Sequence, residues 1–112
     1  MNDNFRRKAI FVVRYSDFKE NMERLNAIKE LINQGKVDEA VKELNSYMLM
    51  CTTGKDKAYY LKGNAYRKKG NWQEALNCYQ SAVALNPHSP ALQARNALND
   101  ILNFYNKDMY NQ

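Results

Sequence analysis

The side chains that could perform catalysis or bind metal are few and scattered along this sequence. Cys51 and Cys78 form no CxxC pair, and His88, in an NPHSP turn, is the single histidine that could complete a metal site. The sequence contains no GxSxG, Walker or HExxH motif. We therefore expect no enzyme activity, no cofactor and no metal. We interpret both cysteines as reduced thiols that pack as small apolar side chains.

A positively charged stretch, residues 55–70, offers chemistry for binding instead. It has six basic residues and one acidic residue, so its charge of +5 equals the net charge of the whole chain. Lys57, Tyr60, Asn64 and Arg67 recur at steps of three and four, which places them on one face of a helix. Such a face suits an acidic or carboxylate-ended peptide. A solvated face without a ligand explains the same pattern equally well.

The amino-terminal region has the sequence MNDNFRRKAIFVVRYSDF. Its apolar run is five residues long and ends at Arg14, without a small-residue cleavage site, which disfavours a signal peptide. No apolar run reaches the roughly 20 residues that span a bilayer. The expected location is the cytoplasm.

Two helix–turn–helix units with a common period position the charged stretch. Residues 21–50 and 59–83 both show apolar residues at helical spacing, and a glycine interrupts each run. Corresponding residues of the two units are 35 positions apart, as the pairs Gly35 and Gly70, Ala40 and Ala75, and Leu44 and Tyr79 show. A period close to 34 residues is typical of all-α solenoids built from helical hairpins.

Residues 56–89 resemble a complete tetratricopeptide repeat (TPR). The matching aromatic, small, turn and closing residues are Tyr59, Gly63, Tyr66, Gly70, Ala75, Tyr79, Ala82 and Pro87. Residues 21–54 resemble a degenerate copy, in which Ile28 replaces the first small residue and Tyr47 the last alanine. The helix after Ser89-Pro90 resembles the capping helix of the family. The resemblance implies an all-α superhelix of about five helices.

The predicted organisation follows from these units. Residues 1–20 form an extension for which a strand, a helix and a disordered arm all stay open. Residues 21–54 and 55–89 form the two repeats, residues 90–106 the capping helix and residues 107–112 a tail. Within the second repeat, we expect Gly63 to lie where the paired helices come closest and Tyr59, Tyr66, Trp72 and Tyr79 to bury apolar area.

The resemblance also implies a non-catalytic protein-binding role, with a groove formed by the first helix of each unit. The groove residues carried over are Lys29, Asn33, Lys57, Tyr60, Asn64, Arg67, Lys68 and Arg95. Some family members clamp a terminal carboxylate, but here Tyr60 and Ala91 occupy two of the lysine positions. We therefore do not predict that ligand, and the partner of the chain stays unknown.

Two alternatives remain at this level. A self-associating scaffold, including a homodimer, could use Phe104, Tyr105 and Tyr110 in the apolar stretch near the carboxyl end. Nucleic acid is less favoured, because the aromatic residues of the repeat are expected to be buried and cannot stack on bases.

Overall fold

The described part of the chain is all-helical. A computed structural model describes residues 19–51 and 53–110, with side chains up to Phe104, and it places five helices and no strand in this part. They are α1 (residues 19–33), α2 (Val37–Met50), α3 (Lys55–Lys69), α4 (Trp72–Leu85) and α5 (Ala91–Tyr110). The predicted all-α class with about five helices is confirmed.

The predicted bounds of the amino-terminal extension and of the capping helix can be compared with the described residues. The predicted extension 1–20 lies outside the described residues except for residues 19 and 20, which belong to α1. At the other end, α5 continues to Tyr110, four residues past the predicted end of the capping helix at residue 106.

Glycines in the left-handed conformation end the first helix of each hairpin. Gly35 has φ 85° and Gly70 has φ 87°, which side chains with a β-carbon rarely adopt. After α3, Gly70 N–H donates to Arg67 O at 3.0 Å and Asn71 N–H to Tyr66 O at 2.9 Å. These bonds satisfy carbonyls that the helix end leaves unpaired, so the chain can turn tightly into α4.

The first core joins α1, α2 and α3. Its buried members are Leu25, Ile28, Ile32, Ala40, Leu44, Tyr47, Ala58, Leu61 and Ala65. The Tyr47 hydroxyl donates to Thr53 O at 3.0 Å, so the one polar atom of this large buried side chain is satisfied.

The second core joins α4 and α5 to the other side of α3. Ala75, Tyr79, Ala82, Ala91 and Leu98 are its buried members. A β-carbon on Gly63 would lie only 2.6 Å from Cδ1 of the Tyr79 ring, which confirms the predicted close approach at this glycine. Trp72, at the start of α4, is 41% exposed, so it contributes a smaller fraction of its side chain to the core than Tyr59, Tyr66 and Tyr79 do.

The last helix begins at a serine cap. Ser89 is 5% exposed, and its Oγ accepts a hydrogen bond from Ala91 N–H at 3.1 Å. This satisfies one of the unpaired amides of the first turn. From there α5 packs over α4, with Leu98 fully buried.

Candidate functional site

Helices α1 and α3 lie side by side in parallel register. Lys57 Nζ approaches Met22 Sδ at 3.6 Å, and Lys68 Nζ donates to Ile32 O at 2.9 Å and Asn33 O at 3.1 Å. These contacts join residues 35 or 36 apart in the sequence. The first helices of the two hairpins are therefore related by one repeat along their whole length.

Four side chains on one face of α3 form what we call the α3 row: Lys57, Tyr60, Asn64 and Arg67. Lys57 is exposed, and the other three are half-buried. The Tyr60 ring packs against the Tyr79 ring, with centroids 6.1 Å apart and planes tilted by 40°. The row thus combines an exposed cation with polar groups that are partly fixed by packing.

Tyr79 of α4 contacts the centre of the α3 row from behind. Its side chain is fully buried, and its hydroxyl donates to Asn64 Oδ1 at 2.6 Å. Burial raises the pKa of the Tyr79 phenol above its usual 10.0, although the positive charge of the nearby Arg67 opposes the shift. The phenol therefore keeps its proton at neutral pH and acts as a donor to Asn64.

The direction of this hydrogen bond fixes the orientation of the Asn64 amide. The Tyr79 hydroxyl donates to Asn64 Oδ1, so the Nδ2 group of Asn64 keeps two donors. In the opposite orientation, the hydroxyl would face the Nδ2 group and its buried proton would lose this acceptor. The α3 row therefore presents Lys57, the Asn64 amide and Arg67 as donors.

Lys68 has a different local environment from the rest of the predicted groove. Its ammonium group donates to two carbonyls at the carboxyl end of α1, at 2.9 and 3.1 Å. The neighbouring Lys69 pairs with Asp38 of α2 at 2.8 Å, where both side chains are exposed. Both lysines thus tie α3 to the first hairpin.

The remaining predicted groove residues, Lys29, Asn33 and Arg95, make no side-chain hydrogen bond to the α3 row within the described residues. Lys29 and Asn33 are exposed on α1. Arg95 is half-buried on α5, and its guanidinium donates to Asn96 at 3.4 Å. Within the described residues, no hydrogen bond or ion pair joins the side chains of these three to the row.

Tyr79 is the member of the site that sequence reasoning assigned to the scaffold alone. The repeat comparison contained a signal, because the aligned residue of the first unit is Leu44. A tyrosine at a position that accepts leucine brings a buried hydroxyl that requires a partner. The polar residues Asn64 and Arg67, three apart on the paired helix, could have supplied it.

Comparison with known proteins agrees with this architecture. The sequence pattern of the tetratricopeptide repeat matches residues 56–89. A solution NMR structure of the Bacteroides fragilis protein BF1650 superimposes with a TM-score of 0.72 at 65% sequence identity, over 79% of this chain and 89% of that chain. The chain belongs to the tetratricopeptide repeat family. TPR proteins generally mediate protein–protein interaction and are generally non-catalytic.

Three further observations concern curated relatives, membrane spans and metal sites. No curated protein matches the chain. In the described residues, no helix is long and apolar enough to cross a membrane, and no three His, Cys, Asp or Glu side chains are grouped as metal ligands would be.

Proposed function

We propose that this TPR protein is a non-catalytic interaction module that binds an acidic protein segment along the groove of α1, α3 and α5. The observation that carries the proposal is the α3 row, where Lys57, Asn64 and Arg67 all present donors. A surface made of donors selects acceptors, and carboxylates are the strongest acceptors that a protein segment carries.

Charge supports the same ligand. Residues 55–70 hold a net charge of +5, so α3 attracts an anionic segment before any contact forms. Lys57 is exposed at the start of α3, and Arg67 is half-buried near its end. An extended segment that follows α3 would therefore meet a cation at each end of the α3 row, with the Asn64 amide between them.

The proposal is tested by reversing the charge at the two ends of the α3 row, Lys57 and Arg67. The double variant Lys57→Glu, Arg67→Glu should bind a fluorescent glutamate-rich peptide at least about tenfold more weakly, because each lost hydrogen bond to a charged group costs about 1.5–3 kcal/mol. Lys68 stays unchanged, since its replacement would remove contacts to the α1 carbonyls. Fluorescence anisotropy measures the affinity.

The matched control carries the same charge change away from the groove. Lys36→Glu, Lys42→Glu alters two exposed lysines of the first hairpin and should bind nearly as tightly as the natural chain. If both double variants lose affinity equally, net charge and not the α3 row determines binding, and the groove proposal is wrong. Affinity capture from lysate by the natural chain, but not by the groove variant, then identifies the partner.

Self-association is the second candidate function. Phe104, near the carboxyl end of the chain on α5, is 63% exposed, and exposed apolar surface favours association. Light scattering should report a dimer for the natural chain and a monomer for Phe104→Ser if this surface associates. A monomer in both cases removes this candidate and leaves the groove proposal unaffected.

Nucleic-acid binding, the third alternative, is tested with a single-stranded oligonucleotide. Its binding should fall steeply with salt if phosphate contacts dominate. Tyr79 is fully buried, and Tyr59, Tyr60 and Tyr66 are half-buried in the second core, so α3 lacks an open stacking platform. We expect the oligonucleotide to bind more weakly than the acidic peptide.

A further inference from the structure

One side of α5 carries amide side chains where an exposed helix face usually carries charges. Residues 91–104 include one basic and one acidic residue, Arg95 and Asp100. Three asparagines in the same range follow steps of three and four residues, so they lie on one side of the helix. We call this surface the amide face, and it consists of Asn96, Asn99 and Asn103.

Two of these three amides have no partner among the described residues. Asn96 Oδ1 accepts a hydrogen bond from the Arg95 guanidinium at 3.4 Å. The side chains of Asn99, which is half-buried, and Asn103, which is exposed, make no hydrogen bond within the part of the chain that the structure describes. Each of the two therefore keeps one acceptor oxygen and a donor amide group for a ligand.

The stability of α5 does not account for the amide face. Asparagine is a weaker helix former than alanine, leucine, lysine or glutamate, because its side chain competes with the backbone for hydrogen bonds. Asn103 is exposed, so packing does not require this residue type either. A helix selected for stability alone would carry other residues at these positions. Contact with another molecule provides a reason to keep them.

The amide face borders the α3 row. Asn99 follows Asn64 by 35 residues, the same separation that relates the two hairpins. Tyr60 of the α3 row packs against the second core, to which Ala91 and Leu98 of α5 belong. Helix α5 therefore lies next to the α3 row, and the repeat relation places Asn99 on the groove side of α5.

The α3 row and the amide face offer different groups to a protein segment. Asn64 Oδ1 already accepts from the Tyr79 hydroxyl, so the row presents donors and suits carboxylates. Each residue of a main chain has an N–H donor as well as a C=O acceptor, and the two need different partners. Asn99 and Asn103 each provide a donor and an acceptor. The main-chain groups of a ligand therefore fit the amide face better than the α3 row.

The spacing on α5 matches that of an extended chain. Asn99 and Asn103 are four residues apart, a rise of about 6 Å along the helix. Two residues of an extended chain span about 6.6 Å, and alternate residues direct their main-chain groups to the same side. We propose that the amide face binds the main chain of the acidic segment while the α3 row binds its carboxylates. This inference rests on the proposed function and adds the form of the ligand, an extended chain bound through its backbone.

A double variant of the full-length chain removes the two unpartnered amides. Asn99→Ala, Asn103→Ala should bind the fluorescent glutamate-rich peptide about fivefold more weakly or worse, because hydrogen bonds to the main chain are lost. The matched control, Asn45→Ala, Asn77→Ala, removes two exposed asparagines of α2 and α4 and should bind as the natural chain does. Neither variant should lower the denaturation midpoint, since alanine is the stronger helix former, so unfolding does not explain weaker binding.

Methylated peptides test whether the contact is to the main chain. Two versions of the glutamate-rich peptide carry N-methyl groups at odd or at even positions, which removes main-chain donors and keeps every carboxylate. One of the two should bind the natural chain about fivefold more weakly than the other, because alternate residues face the amide face. The Asn99→Ala, Asn103→Ala variant should bind both versions alike, since the acceptors for these donors are gone.

The outcomes separate the amide face from the groove proposal. If Lys57→Glu, Arg67→Glu weakens binding but the asparagine variant binds as tightly as the natural chain, the amide face is wrong and the groove proposal stands. The main-chain contact is also wrong if the two methylated peptides differ equally for the natural chain and the asparagine variant. If the natural chain does not bind the glutamate-rich peptide, both proposals fail.

Discussion

The close contact between the two helices of a hairpin is made by different residue types in the two repeats. The second hairpin places Gly63 against the ring of Tyr79. At the aligned positions, 35 residues earlier, the first hairpin has Ile28 and Leu44, both buried in the first core. The first hairpin therefore has two aliphatic side chains of equal size where the second has a glycine facing an aromatic ring. Different combinations of side chains fill this position in the two repeats.

This exchange predicts the effect of filling the glycine. Gly63→Ala should lower the free energy of unfolding by about 1–3 kcal/mol, since its β-carbon meets a ring that packing holds in place. Elsewhere in a helix the same change raises stability by about 1 kcal/mol. Adding Tyr79→Leu, which imitates the first hairpin, should recover part of the loss. Urea denaturation of the two single variants and the double variant measures the coupling.

The control at residue scale is Tyr79→Leu alone. It removes ring volume and the donor to Asn64, so it should also destabilise the protein. Losses that simply add in the double variant would show that Gly63 and Tyr79 do not share one packing constraint.

At the scale of elements, the contacts of Lys68 connect two helices that the sequence separates by a full hairpin. Its ammonium group donates to Ile32 O and Asn33 O, where the carbonyls of the last turn of α1 lack partners within the helix. A cation at this end also interacts favourably with the helix dipole. Lys68 thus acts as a cap supplied by another helix.

Replacing Lys68 should lower the free energy of unfolding more than breaking the neighbouring ion pair between Lys69 and Asp38. Lys68→Ala should lower the free energy of unfolding by about 1 kcal/mol, because two carbonyls lose a charged donor. Lys69→Ala, the matched control, removes an exposed pair with Asp38 and should cost at most about 0.5 kcal/mol. Chemical denaturation of both variants compares them. Equal losses would mean that the contacts to α1 add nothing beyond charge.

For the whole molecule, α3 is the element that makes two hairpins into one body. It contributes Ala58, Leu61 and Ala65 to the first core, while Tyr59, Tyr60 and Tyr66 pack against the second. In stacked repeats, stability is nearly a sum of unit and neighbour terms. Damage to one core should therefore remain partly local.

Truncation of one large residue in each core tests this locality. Leu98→Ala should cost about 2–5 kcal/mol and reduce amide hydrogen-exchange protection mainly in α4 and α5. Leu44→Ala, also fully buried, should affect mainly α1 and α2, and α3 should lose protection in both variants. An equal loss across all five helices in both variants would indicate a single cooperative unit.

The sequence by itself determined the helical hairpins, their period and the small residues at Gly63, Ala75 and Ala82. These features follow from local rules, because spacing fixes which residues share a helix face and left-handed turns select glycine. The same rules placed the basic residues of α3 on one helix. They could not say which of these cations contacts the neighbouring helix and which faces solvent.

Only the tertiary structure decided those partners. Lys68 caps α1, and Trp72 is partly exposed at a helix end. The buried Tyr79 hydroxyl orients Asn64 so that its amide donates outward. Each outcome depends on groups that are distant in sequence and meet only when the hairpins stack. Helix periodicity describes one helix at a time, whereas the direction of a hydrogen bond depends on every donor and acceptor around it.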